Sequence, residues 1–180
     1  MIRYYPIAGA PRNICAGYGN RTTNGVTKLH DACDLCAPTG TPVVACDDGT
    51  VSYGVDPTGG NVAILHIADG TAYFHAHLLD VQTGQRKVSA GQQIARVDTT
   101  GNAALVGIPH CHWQIWPGGT FQPGTVHPDP TAALLAAEVL SAPLSGGIGV
   151  ASKALLYALG FATAVGLTYG ALYAWDRRQA

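Results

Sequence analysis

Short runs of apolar or alternating residues recur along the first 120 positions, as is typical of half-buried β-strands. Turn-forming pairs such as Asp48-Gly49 and Asp69-Gly70 separate these runs. The pattern predicts a mainly β fold, a small antiparallel sheet or sandwich, followed by a short helix at 129–140. The predicted strands lie within 42–46, 50–55, 61–67, 71–79, 92–97 and 108–119.

The C-terminal region has a different pattern. Residues 154–175, ALLYALGFATAVGLTYGALYAW, contain no charge and are bounded by charged residues on both sides. As a helix this segment would span roughly the 30 Å of bilayer hydrocarbon. We predict a single transmembrane helix, since too little chain remains to cover a core helix of this kind. Gly166 and Gly170 have the spacing of a helix-packing step, which would allow self-association in the bilayer.

Composition limits the classes of partner. The chain has 180 residues, of which 47% are hydrophobic and 12% charged, with a formal net charge of −1. A nucleic-acid-binding protein usually presents a basic face, and this chain has no run of Lys and Arg. We therefore exclude nucleic acid as a partner and expect one domain with an appendage.

The expected membrane topology raises a difficulty. Arg177 and Arg178 place the C-terminal end on the inner side of the membrane, so residues 1–145 would lie outside. The first residues, MIRYYPIAGAPRNIC, lack the apolar region of a secretory signal peptide. Either the domain stays inside, or the membrane is not an ordinary cell membrane when the protein acts.

Paired histidines suggest a metal site. If each stretch is extended, His30 and Asp34, His75 and His77, and His110 and His112 each share one face of their strand. Hydrolytic zinc sites commonly use three such N/O ligands and leave a position for water. We interpret the two other strand-region histidines, His66 and His127, as surface or satisfied core residues.

The chain has a single glutamate, Glu138, which lies in the predicted helix. A metalloprotease of the HExxH kind needs a glutamate beside its metal, so that mechanism is not available here. Any proton transfer must fall to histidine.

The ordered motifs of the chain resemble the M23, or LytM-type (lysostaphin-like), zinc metallopeptidases, which cut peptide cross-links of bacterial peptidoglycan. The resemblance extends from about Pro6 to Gly118 and implies a small β-sheet groove with zinc at its floor. The motifs that carry it are HxxxD at 30–34, AHL at 76–78, HxH at 110–112, ICAGYGNR at 14–21, APTGTPVVACDDGTV at 37–51 and VSAGQQIARVDTTGN at 88–102.

The resemblance assigns roles residue by residue. It implies that His30, Asp34 and His112 bind Zn²⁺, and that His77 and His110 are unligated catalytic histidines that orient or deprotonate water and stabilise the oxyanion. His75 stands where the family usually has a bulky residue; it could compete for one of these roles, although we favour a position in the groove wall. The loop shape before His110 also stays open, because the spacing of 107–109 departs from the usual pattern.

Five cysteines leave at least one thiol unpaired if the others form disulfides. Because the family places the strands of Cys33 and Cys111 near one another, a Cys33–Cys111 bridge behind the zinc is one alternative. The other, which we favour, is that the cysteines pack as small apolar residues. A zinc site built from Cys33 and Cys36 lacks a second close pair of cysteines.

Two functions follow from this resemblance. The first is a membrane-anchored zinc endopeptidase acting on peptidoglycan peptides, either in a bacterial cell envelope or in the virion membrane of a bacteriophage that uses it for host entry. The alternative is a non-catalytic binding or assembly module beside other envelope or virion proteins. The expected organisation is a peptidase domain at 1–126, a short helix and linker at 127–153, the transmembrane helix at 154–175 and a basic tail at 176–180.

Overall fold

Each predicted β run contains a strand in the computed structural model of the chain, which describes residues 1–23, 25–80, 83–121 and 125–144. The strands are β1 (Ile14–Ala16), β2 (Gly19–Thr23), β3 (Val26–His30), β4 (Cys33–Cys36), β5 (Pro42–Val44), β6 (Gly49–Asp56), β7 (Gly60–His66), β8 (Ala72–Ala76), β9 (Gln85–Val88), β10 (Gln93–Arg96) and β11 (His110–Trp116). A 3₁₀ helix spans Gly101–Leu105, and helix α1 spans Thr131–Ala136.

The predicted antiparallel architecture is confirmed. Seven strands form one antiparallel sheet in the order β1-β4-β11-β8-β7-β6-β9. Strands β5 and β10 form a separate pair, and β2 and β3 form a hairpin. No helix among the described residues is long and apolar enough to cross a bilayer, and the predicted transmembrane segment 154–175 lies outside those residues.

Strands that the apolar pattern did not predict are mostly short or exposed. The β2–β3 hairpin has no buried face, since four of the five residues of β3 are exposed. Strand β9 buries one residue of four. Strand β4 is largely buried, but it has only four residues and includes Asp34 in its sequence CDLC. None of these strands has enough alternating residues to produce a recognisable pattern.

The central strands separate the core from the functional face. Cys33 and Leu35 of β4, together with Cys111 and Trp113 of β11, are fully buried. The residues between them on both strands therefore point to the opposite side of the sheet. The core is completed by Tyr5 and other residues of the N-terminal segment, and by α1.

Helix α1 is shorter than the predicted 129–140. It ends at Ala136, and Ala137 is already extended. The Glu138 N–H donates to the carbonyl of Arg3 over 3.0 Å, and the Glu138 carbonyl accepts from the Tyr5 N–H over 2.7 Å. Pairing with the N-terminal segment thus replaces the last helical turn, and the predicted helical position of Glu138 is wrong.

The proposed Cys33–Cys111 bridge is also wrong. In the β4–β11 register, Cys111 lies opposite Leu35 and Cys33 lies opposite Trp113, so the two cysteines are diagonal rather than paired. Diagonal neighbours are roughly 7 to 8 Å apart, which is too far for a disulfide.

The disulfide in the structure joins Cys15 and Cys36, whose Cα atoms are 5.7 Å apart. It forms where an irregular register between Ile14 and Ala16 brings strand β1 against β4. The favoured expectation that the cysteines pack as small apolar residues is therefore wrong for Cys15 and Cys36. It is confirmed for Cys33, Cys46 and Cys111, which are buried free thiols. Burial raises the pKa of all three thiols, which keeps them protonated and unreactive.

Candidate metal centre and cleft

The three side chains predicted to bind metal lie together. His112 of β11 is directly opposite Asp34 of β4, and His30 ends the neighbouring hairpin. Asp34 Oδ1 is 2.9 Å from His112 Nδ1 and 3.1 Å from His30 Nε2. The two imidazole nitrogens are 3.3 Å apart. These donor atoms form the one group of three or more His, Cys, Asp or Glu ligands with this geometry among the described residues.

The donor set fits zinc. Ligand atoms at roughly 2.0 to 2.1 Å from a tetrahedral Zn²⁺ are about 3.3 Å from each other. The observed separations of 2.9, 3.1 and 3.3 Å differ from that value by small amounts. His30 Nδ1 is 3.0 Å from the carbonyl of Gly17, to which it can donate a proton. That hydrogen bond leaves the Nε2 lone pair free for a cation, the usual orientation of a ligating histidine.

Asp34 is held in its ionised form. Burial alone would raise the pKa of its carboxyl, but hydrogen bonds and charge from His112 and His30 outweigh burial and hold this pKa well below its usual range. Arg21 of β2 adds a third contact, with its Nη2 3.1 Å from Asp34 Oδ2. The centre therefore presents a carboxylate across the physiological pH range.

His77 lies in the same cleft because strand β8 ends one residue before it. Its φ of 63° is the single positive value at a non-glycine residue among the described residues. The reversal is fixed by backbone and side-chain contacts: the His77 N–H donates to Gly59, and its Nδ1–H donates to the carbonyl of Thr100 over 2.8 Å. Burial lowers the pKa of His77 to about 4, so the ring is neutral at pH 7 with Nε2 free to accept a proton.

His110 is held in the same manner. Its Nδ1–H donates to the carbonyl of Ile108 over 2.7 Å, which leaves Nε2 free, 3.8 Å from Asp34 Oδ1. The His77 and His110 ring centroids are 4.8 Å apart. The backbone of Asp98 joins the two residues, since its N–H donates to His77 and its carbonyl accepts from His110. Two imidazoles with free Nε2 atoms therefore lie beside the ligand set.

The expectation that His75 and His77 share a face is wrong, and so is a groove-wall position for His75. His75 is fully buried on the core side of β8. Its Nδ1–H donates to the carbonyl of Ala63, and its Nε2 accepts the indole N–H of Trp113 over 3.1 Å. Both ring nitrogens are used in the core, so His75 does not compete for the metal or the catalytic positions.

The ligand set and the two imidazoles line a cleft of about 570 Å³. One flank of this cleft is aromatic: Phe74 stacks on Trp116 with ring centroids 4.6 Å apart, and Phe121 lies 5.6 Å from Trp116. The lining also includes polar side chains from the end of β6, from the turn after it and from the 3₁₀ helix, namely Asp56, Thr58 and Asn102.

A hydrogen-bonded chain holds the aromatic flank in place. The Trp116 indole N–H donates to Gln114 Oε1, and the Gln114 amide donates to Asp31 Oδ1. His127 Nδ1 contacts the other oxygen of Asp31 and stacks on Phe121. His127 is therefore a buried core residue, satisfied at Nδ1, while its Nε2 has no hydrogen-bond partner among the described residues.

His66 is the other histidine that we interpreted as a surface or satisfied core residue. It is half-buried and contacts the Ser52 hydroxyl at 3.5 Å, in agreement with that interpretation. Sequence reasoning missed Arg21, Gln114 and Trp116 in the cleft. Gln114 and Trp116 could have been found, because they continue the two-residue period that His110 and His112 begin.

Comparisons with known proteins relate this chain to one peptidase family and, by sequence similarity over part of their length, to a cell division protein and a peptidoglycan endopeptidase. The model of "Peptidase family M23" matches residues 28–123. The cell division protein DipM of Caulobacter vibrioides is 29% identical over 133 residues, covering 72% of this chain and 20% of that protein. The peptidoglycan DD-endopeptidase ShyC of Vibrio cholerae is 33% identical over 124 residues, covering 64% of this chain and 27% of that protein. The chain thus spans about a fifth to a quarter of the length of these curated relatives.

Among solved structures, the catalytic domain of the antimicrobial peptidase lysostaphin from Staphylococcus simulans is similar to this chain, with a TM-score of 0.58 and 29% identity. The similarity covers 69% of this chain and 93% of the lysostaphin domain. The β-sheet domain described here therefore corresponds to nearly the whole of a known peptidase catalytic domain.

Proposed function

Since the chain belongs to peptidase family M23, we propose that it is a zinc endopeptidase that hydrolyses peptide cross-links of bacterial peptidoglycan. His30, Asp34 and His112 would hold the metal, and His77 and His110 would be the catalytic histidines. The observation that carries the proposal is the cluster of three donor atoms within 3.3 Å of one another, beside two imidazoles whose Nε2 atoms are free.

The metal and the two catalytic histidines would have different chemical roles. Zinc, when bound, supplies a Lewis acid that lowers the pKa of water and polarises a carbonyl. The neutral His77 ring, anchored through Nδ1, can accept a proton at Nε2 from an attacking water. His110 has the same orientation and can share that role or, once protonated, donate to a developing oxyanion.

Glutamate does not take part in this scheme. Glu138 is the one glutamate of the chain, and its backbone pairs with Arg3 and Tyr5 of the N-terminal segment. It does not line the cleft. The proton-transfer role that a glutamate has in HExxH enzymes therefore falls to the histidines.

The test combines metal content with cleavage of purified peptidoglycan. Wild-type protein should hold about one zinc per chain and release new peptide ends, detected by mass spectrometry. His77→Ala should retain zinc and lose roughly 10²- to 10⁴-fold in rate, since it removes a proton acceptor and no ligand. His112→Ala should lose both zinc and activity.

The matched control is His66→Ala, which removes a half-buried strand histidine outside the ligand set and should leave zinc and rate unchanged. Retention of zinc and activity by His112→Ala would refute the proposed site. A wild-type protein that binds zinc and peptidoglycan without cleaving it would instead support the non-catalytic module.

We further propose that residues 154–175 anchor this peptidase as a single-pass helix, in a bacterial envelope or a virion membrane. The support is the uncharged run of 22 residues. The full chain should remain with membranes after alkaline carbonate extraction, whereas a chain ending at residue 146 should be released. Recovery of the full chain in the supernatant would refute anchoring, and its presence or absence in purified phage particles separates the two locations.

A further inference from the structure

Among the described residues that line the cleft, Arg21 is the one with a permanent positive charge, and the proposed chemistry does not use it. It lies on β2 opposite Lys28, and its side chain is 39% exposed. Its Nη2 is 3.1 Å from Asp34 Oδ2 and also contacts His30 Nδ1. The two oxygens of Asp34 are therefore divided, because Oδ1 faces the histidines while Oδ2 faces the guanidinium.

Of the two contacts of the Arg21 guanidinium, the one with Asp34 is a hydrogen bond and the one with His30 Nδ1 is not. His30 Nδ1 already lies 3.0 Å from the carbonyl of Gly17, and a ring nitrogen that donates to a carbonyl carries a proton. A protonated Nδ1 cannot accept from a guanidinium. The hydrogen bond from Arg21 thus goes to Asp34, and its strength is that of a charge-assisted pair.

We propose that Arg21 is a positioning residue for the metal ligand Asp34. By pairing with Oδ2 it keeps the carboxylate from rotating and directs Oδ1 alone toward the histidine nitrogens. This inference rests on the proposed function in one respect, namely that the three-residue centre binds zinc. It adds a residue that acts on the metal through the carboxylate and touches neither metal nor substrate.

Burial makes this ion pair more influential than a surface pair. The side chain of Asp34 is 11% exposed, so water can do little to replace a lost partner at Oδ2. By comparison, Arg96 and Asp80 form an ion pair whose side chains are 44% and 39% exposed. Exposed pairs of that kind contribute little, which makes Arg96 a suitable control.

The test measures zinc affinity by competition with a chromophoric chelator, using the full chain. Arg21→Met should raise the zinc dissociation constant by roughly 10- to 100-fold, the usual effect of removing a residue that orients a ligand. Arg21→Lys should show a smaller increase, since lysine keeps the charge but not the planar fork. Arg96→Met should match the wild type.

Kinetics separate positioning from substrate binding. At zinc concentrations that saturate Arg21→Met, its KM should equal that of the wild type and its rate should be largely restored. A raised KM with an unchanged zinc dissociation constant would overturn the proposal in favour of direct substrate recognition. Equal zinc affinity in Arg21→Met, Arg21→Lys and wild type would also overturn it.

The experiments can refute the proposed function and the role of Arg21 separately. If the wild-type chain itself takes up no zinc, both the metal centre and the role of Arg21 are refuted. If the wild type binds zinc and cleaves peptidoglycan while Arg21→Met has unaltered affinity, only the role of Arg21 is refuted. Arg21→Lys covers the case in which the methionine variant does not fold.

Discussion

The buried imidazole of His75 should make the stability of the domain depend on pH. Burial lowers the pKa of His75 to about 4, against 6.5 for a free histidine. Between these values the unfolded chain binds a proton at this position and the folded chain does not. Stability is therefore fully present above pH 6.5 and decreases as the pH falls toward 4.

The magnitude follows from the two pKa values. At pH 7 the difference in proton binding at His75 costs well under about 1 kcal/mol, and at pH 4.5 it costs roughly 2 to 3 kcal/mol. The wild-type domain should thus lose roughly 2 to 3 kcal/mol through this one residue over that interval. Other groups, including His77, add their own pH dependence to the total.

A variant isolates the contribution of His75. His75→Gln keeps an acceptor for the Trp113 indole N–H and a donor for the Ala63 carbonyl, the two contacts of the ring. Its stability at pH 7 can differ from that of the wild type, but the stability that it loses between pH 7 and 4.5 should be smaller by roughly 2 to 3 kcal/mol. Contributions of all other titrating groups cancel in the comparison.

The assay is urea unfolding of metal-free protein at a series of pH values, with chelator present so that loss of zinc does not contribute. Parallel curves of unfolding free energy against pH for wild type and His75→Gln would refute the reasoning. That result would mean that His75 titrates equally in the folded and unfolded chains, and so that its burial is not maintained.

Two further changes test the packing of the fold. Replacing Cys15 and Cys36 by serine should lower the unfolding free energy by about 3 kcal/mol, since the bridge closes a loop across a sequence separation of 21; an unchanged denaturation midpoint would contradict the pairing. Leu134→Ala should cost about 3 kcal/mol because this side chain is fully buried, whereas the exposed Leu135→Ala should cost less than about 0.5 kcal/mol, both measured by urea unfolding. Equal losses would mean that α1 docks through a different face.

Much of the site was accessible from the sequence. The spacing of His110 and His112 places both on one strand face, and the ordered motifs identified Asp34 and His30 as their partners. The first prediction depends on alternation within a regular strand, and the second is what the resemblance to the family implies. The structure brings the side chains of His30, Asp34 and His112 together, as expected.

The opposite case is the pair His75 and His77, where alternation gave the wrong answer. Alternation of side chains between the two faces holds only while a strand continues, but β8 ends at Ala76 and His77 has a positive φ. That conformation is maintained by Gly59 and Thr100, which belong to distant parts of the chain. No local pattern contains this information.

Register between strands decided the disulfide in the same way. Cys33 and Cys111 are diagonal across the regular register of β4 and β11. The irregular register between Ile14 and Ala16 of β1 instead brings Cys15 within bonding distance of Cys36. Pairing with the N-terminal segment likewise ended α1 earlier than its helical pattern indicated.

The sequence by itself thus determined the class of fold and the strands with alternating residues, because both depend on spacing along the chain. Its resemblance to the family predicted which three side chains would meet at the candidate metal centre. Tertiary structure alone decided that His75 and His77 lie on opposite sides of the sheet, which cysteines bond and which arginine contacts Asp34. Those outcomes depend on contacts between residues far apart in the chain, and such contacts exist only once the sheet has formed.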